Sequence, residues 1–118
     1  MHDYKKLDVW TKSMDFCQSV YQLTSDLPES EKFGLANQLR RASTSVPSNI
    51  AEGAGRGSNA DFGRFLSIAL GSVFEMETQL YLLVRLGYKS ELDINKYLLE
   101  LGSIGKMIHS LKKNLKSV

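Results

Sequence analysis

With 118 residues, 42% of them hydrophobic and 24% charged, the chain is long enough to bury a core and too apolar for a disordered polymer. Its formal net charge of +2, from 15 basic and 13 acidic residues, gives no overall field that would draw a polyanion. One cysteine, Cys17, with His2 and His109 excludes a disulfide framework and structural zinc. No window has the run of apolar residues that a signal peptide or a bilayer span needs. We expect one domain over residues 1–118 and a cytoplasmic location.

The first predicted helix carries Leu7, Trp10, Met14, Cys17, Tyr21 and Thr24 at helical spacing and ends near Leu27-Pro28. Ser30 is placed to cap the second, along which Leu35, Leu39, Ala42, Val46, Ile50 and Gly53 form the apolar stripe. That helix runs through Pro47, whose missing donor and ring clash predict a bend between Ser43 and Pro47. Gly53-Ala54-Gly55-Arg56-Gly57 ends it, since glycine accepts the left-handed conformations of a tight reversal. Ser58, with Asp61 three residues on, starts the third helix by an acidic variant of the capping box.

The third helix presents Phe62, Phe65, Leu66, Ala69, Val73, Met76, Leu80 and Leu83 and stops at Leu86-Gly87-Tyr88, a glycine C-cap pattern. The fourth begins between Ser90 and Asp93 and carries Ile94, Tyr97, Leu98, Leu101, Ile104, Ile108, Leu111 and Leu115, weakened by Gly102 and Gly105. No alternating run appears and the connections are short. The expected fold is therefore all-α, an up-down-up-down antiparallel four-helix bundle with its second helix bent at Pro47. Four helices that open and exchange with a partner chain would present the same pattern.

The residues Phe33-Gly34-Leu35, Gln38-Leu39-Arg40-Arg41-Ala42, Val46-Pro47-Ser48-Asn49-Ile50-Ala51-Glu52-Gly53, Gly55-Arg56, Phe62-Gly63-Arg64-Phe65-Leu66, Ile68-Ala69-Leu70-Gly71-Ser72 and Leu86-Gly87-Tyr88 span nearly the whole chain. In them the chain resembles the bacterial four-helix-bundle proteins associated with intervening sequences in 23S ribosomal RNA genes. A relative of that family is the accessory protein of diversity-generating retroelements, a strongly basic pentameric barrel that partners a reverse transcriptase and binds nucleic acid. The resemblance implies a homopentamer with no catalytic residues and no cofactor, acting as a scaffold for structured RNA or an RNA-bound protein. The alternative is a protein-protein adaptor with no nucleic-acid role.

Arg40, Arg56, Arg64, Lys112, Lys113 and Lys116 are the candidate nucleic-acid contacts, because phosphates are met by arginine and lysine. Arg41, Ser45, Ser48 or Asn49, and Glu52 form a polar stripe beside the apolar one on the second helix, and Ser72, Glu75 and Gln79 form another on the third. These stripes read as a subunit interface or as an internal network, for instance Arg41 with Glu75 or Glu52. The glycine corner has the wrong spacing for a phosphate loop and follows a helix rather than a strand, so a helix-helix corner is the favoured reading. Cys17 lies on an apolar stripe and reads as an inert buried thiol. His109 has no acidic residue after it to orient the ring, and no nucleophile elbow is present.

Overall fold

The computed structural model describes residues 2–116, Lys116 by its backbone alone. A 3-10 turn at Tyr4–Lys6 leads into α1 (Asp8–Thr24), and a second at Glu29–Glu31 precedes α2 (Leu35–Ala54). The helices α3 (Asn59–Arg85) and α4 (Glu91–Lys116) follow, with no strand among the described residues. Each helix packs on its neighbour in sequence, α2 on α3 most extensively, and α4 returns to α1 to close an all-α four-helix bundle measuring 46 × 23 × 20 Å.

Periodicity explains the core. The stripe Leu35, Leu39, Ala42, Val46, Ile50 and Gly53 on α2 is buried throughout, as is Phe62, Phe65, Leu66, Ala69, Val73, Met76, Leu80 and Leu83 on α3. On α4 the buried positions are Ile94, Leu101, Ile104, Ile108 and Leu115, with Tyr97, Leu98 and Leu111 half-buried beside them. The α1 stripe is rotated from the expected one. Val9, Phe16, Val20 and Leu23 enter the core, while Met14 and Tyr21 stand 45% and 42% exposed. Ser13 shares the inner face because its hydroxyl donates to the Trp10 carbonyl at 2.8 Å, which satisfies it within its own turn. Cys17 is only half-buried and accepts from the Ser43 hydroxyl at 3.4 Å.

Pro47 is buried inside α2, which runs unbroken from Leu35 to Ala54. This continuity establishes the helix through the proline and leaves the bend an expectation. The start of α2 differs from expectation. Ser30 lies in the preceding 3-10 turn, the N-cap position is Gly34, and the orphan amide of Leu35 donates instead to Glu31 Oε1 at 3.1 Å. A Cβ on Gly34 would stand 2.7 Å from that oxygen, so the glycine makes room for the carboxylate. The corner after α2 contains no left-handed residue. Gly55 caps it at φ −82°, and among the described residues the one positive φ is that of Gly87, at 80°. There Tyr88 N donates to Leu83 O at 3.0 Å and Gly87 N to Val84 O at 3.0 Å, the bonding pattern of a Schellman cap.

The end of the bundle that carries the α1–α2 and α3–α4 connections is tied by two polar links. Tyr88 donates its hydroxyl to Glu31 Oε2 at 2.8 Å, and Lys89 Nζ meets Asp26 Oδ1 at 2.7 Å. The Leu35 amide and then the Tyr88 hydroxyl hold Glu31 below the usual carboxylate range, and the Lys89 hydrogen bond and charge do the same for Asp26. Bonding to Glu31 pushes the Tyr88 phenol up. A lowered carboxylate stabilises the fold above its unfolded value of about 4 and loses that contribution as pH falls through the lower folded value. A raised phenol stabilises below about pH 10 and loses its contribution as pH rises through the higher folded value. Thermal melts against pH will therefore show the native protein above Tyr88→Phe across the neutral range, with the gap closing in acid and again in strong alkali. A gap that is constant with pH would remove the link from the stability of this end.

Candidate nucleic-acid interface and polar seam

At the opposite end the α2–α3 corner is built from short-range bonds. Gly55 N donates to Ala51 O at 3.1 Å, Arg56 N to Gly53 O at 3.1 Å, and the Ser58 hydroxyl caps α3 by accepting from Asp61 N at 3.1 Å. The N-terminal segment closes over it, His2 N donating to Ala54 O at 2.9 Å and the His2 ring lying 5.0 Å from that of Phe62. Gly53 is required here by approach: a Cβ on it would stand 2.7 Å from Phe65 Cβ and 3.0 Å from Phe62 Cδ1.

This corner brings together three of the candidate cations. The Arg56 guanidinium lies 4.9 Å and the Arg64 guanidinium 5.1 Å from the centroid of the same ring, Phe65. Arg56 also pairs with Glu52 at 3.5 Å, and Arg64 with Asp61 at 3.6 Å. Arg64 then lines an open cleft of about 460 Å³ with Asn59, Gly63, Ser67 and, from the far end of α4, Lys112. Lys113 is exposed on the next position of α4, and the Lys116 side chain lies outside the described residues.

Arg40 does not join this group. Its Nε donates to Thr24 Oγ1 at 2.8 Å, a terminal nitrogen donates to Tyr21 O at 3.3 Å, and the guanidinium stacks 4.7 Å from the Tyr21 ring. It joins α2 to the last turns of α1. Sequence reading ranked Phe65 only as core and missed its second role as the shelf for two arginines. The signal was present as an aromatic next to Arg64 at the start of a helix that follows Arg56.

Between α2 and α3 the polar stripes meet in part. Ser72 donates to the Ser45 hydroxyl at 2.8 Å, and Asn49 Nδ2 donates to Ser45 O at 2.8 Å and to its hydroxyl at 3.0 Å. Gln79 Nε2 reaches Glu75 Oε2 at 3.4 Å, while its buried Oε1 has no partner. Among the described residues Arg41, which is exposed, pairs with neither Glu52 nor Glu75, and Glu52 is taken by Arg56. Neither ion pair expected of Arg41 is present among the described residues, and its side chain lies on the solvent side of α2.

No group of three or more His, Cys, Asp or Glu able to hold a metal occurs among the described residues, and no described helix is long and apolar enough to cross a membrane. No functionally curated protein matches the chain. Among solved structures, a protein of unknown function from the S23 ribosomal protein family of Bacteroides thetaiotaomicron shares 32% identity with it. The two superpose with a TM-score of 0.83 over 89% of this chain and 95% of that one. The family model described as 23S rRNA-intervening sequence protein matches residues 5–110, and with a bundle of this geometry the chain belongs to that family.

Proposed function

We propose that this protein is a non-enzymatic cytoplasmic scaffold that binds structured RNA as a homo-oligomer, with a pentamer as the expected stoichiometry. The observation that carries the reading is the uneven distribution of charge. Arg56, Arg64 and Lys112 come together around one cleft and its adjoining ring, with Lys113 next along α4, and outnumber Glu52 and Asp61 there, whereas at the other end Asp26, Glu29, Glu31, Glu91 and Asp93 outnumber Lys32, Arg85 and Lys89. A bundle that is nearly neutral as a whole thus presents a locally basic end, and local potential steers a polyanion. Phosphate contact of this kind fixes position without reading sequence, which suits a scaffold.

Self-association draws support from the outer face of α3 and α4. Phe74 and Tyr81 are each 59% exposed there. Gly63, Gly71 and Gly102 lie inside helices, and a Cβ on any of them would meet nothing within 4 Å. Each such glycine weakens its helix by about 1 kcal/mol with no return inside the chain, whereas a helix of another subunit approaching closely would supply one. Sedimentation equilibrium reads the stoichiometry directly. The same face favours a second reading, an adaptor that receives a helix of a different protein, and recovery of one protein without RNA from native cytoplasm would support it.

The RNA reading is tested by titrating labelled structured RNA across a salt series with duplex DNA as competitor. Binding should weaken as salt rises, with a log-log slope of roughly 0.7–0.9 for each phosphate contacted. Charge removal in Lys112→Gln/Lys113→Gln should make the slope shallower. No binding at low salt would end the RNA reading.

A further inference from the structure

Arg56 and Arg64 reach one aromatic ring from different elements, Arg56 from beyond the end of α2 and Arg64 from the second turn of α3. Two guanidiniums each about 5 Å from a single centroid stand within about 10 Å of one another. The ring that sets this distance is fixed. Phe65 is 7% exposed, and its Cβ lies against the Gly53 backbone so closely that no side chain fits between them. Stacking on a ring face leaves the edge N–H groups of an arginine free to bond oxygens in the guanidinium plane.

Each guanidinium is meanwhile met by a carboxylate one helical turn away. Glu52 holds Arg56 at 3.5 Å and Asp61 holds Arg64 at 3.6 Å, with all four side chains about half exposed or more. Pairs this exposed contribute little to stability, so another anion exchanges for the carboxylate at small cost. Two guanidiniums no more than about 10 Å apart can meet neighbouring phosphates of one strand at the same time.

We infer that Arg56 and Arg64 form one two-pronged clamp for a run of successive RNA phosphates, held closed in the free protein by Glu52 and Asp61 and opened when phosphates replace the carboxylates. The inference rests on the RNA reading and adds which cations act as a unit and what restrains them.

The test is the same salt series on the full chain, with Arg56→Gln/Arg64→Gln, the two single variants, Glu52→Gln/Asp61→Asn and, for comparison, Lys112→Gln/Lys113→Gln. Thermal melts check that each variant folds. The double arginine variant should lower the slope by roughly 1.4–1.8, the value for two lost phosphate contacts. Each single should lose more than half the affinity change of the double, because one prong alone cannot span the run. Removing the carboxylates should tighten binding roughly two- to fivefold at low salt, the range in which an exposed pair competes. If native protein binds and the lysine variant weakens it while the arginine double variant leaves slope and affinity unchanged, the clamp is overturned and the RNA reading stands. Weaker binding by Glu52→Gln/Asp61→Asn overturns the restraint. Failure of the native protein to bind at low salt overturns the RNA reading, and the clamp with it.

Discussion

Phe62→Ala should cost about 3–5 kcal/mol of unfolding free energy, the range for deleting a buried aromatic ring, and should lower the melting temperature by roughly 12–20 °C at about 4 °C per kcal/mol. Phe62 is fully buried in the opening turns of α3 and joins three parts of the corner. Its ring lies 5.0 Å from that of His2, its Cδ1 is 3.0 Å from where a Cβ on Gly53 would stand, and it belongs to the continuous core. The alanine variant therefore leaves a cavity between α2 and α3 and also removes the support of the N-terminal segment, which His2 N pins to Ala54 O at 2.9 Å. Urea titration followed by circular dichroism measures the loss. Phe62→Leu keeps most of the volume and should cost less than about 1.5 kcal/mol. A loss for Phe62→Ala as small as that would mean the corner closes over the cavity and is not held open by the ring.

Helix number, order and most of the core were legible in the sequence because period and capping are local. The α2 and α3 stripes, the Ser58 cap and the Gly87 stop depend on residues within one or two turns of each other. The α1 face was not legible. Met14 and Tyr21 lie beside the stripe of Val9, Phe16, Val20 and Leu23, and two adjacent apolar stripes on one helix are separated only by the directions from which α2 and α4 approach. The same limit applies to the cap of α2. Ser30 has the local chemistry, but Glu31 is oriented by Tyr88, 57 residues along the chain, and no spacing rule carries that contact. The cations of the candidate site were legible by residue type, and their partners were not. Arg40 turns to Tyr21 and Thr24, while Arg56 and Arg64 converge on a ring whose place in the core had concealed its use at the surface.

Gly53→Ala should destabilise the fold by about 1–3 kcal/mol despite placing a better helix former inside α2. Substituting alanine for glycine within a helix contributes up to about 1 kcal/mol of stability, and φ is no obstacle, since among the described residues Gly87 alone has a positive φ. Against this, the new methyl would stand 2.7 Å from Phe65 Cβ, well inside the ~3.5–4.0 Å at which carbon atoms rest. Phe65 Cβ is bonded to the α3 backbone and no side-chain rotation moves it, so relief comes only from parting α2 and α3. A gap of 0.5–1 Å between packed surfaces already forfeits roughly a quarter to a half of each contact across it, and α2 against α3 is the most extensive pairing in the bundle. Gly55→Ala separates packing from backbone freedom. It lies two residues on in the same corner, its Cβ would meet only Ala51 O and Glu52 O at 3.6 Å, and it should change stability by less than about 0.5 kcal/mol. Paired thermal melts decide the matter. If both variants lose stability alike, glycine serves chain flexibility at the corner. A loss at Gly53 alone makes the close approach of the helices the reason for that residue, and the Phe65 shelf that carries Arg56 and Arg64 depends on it.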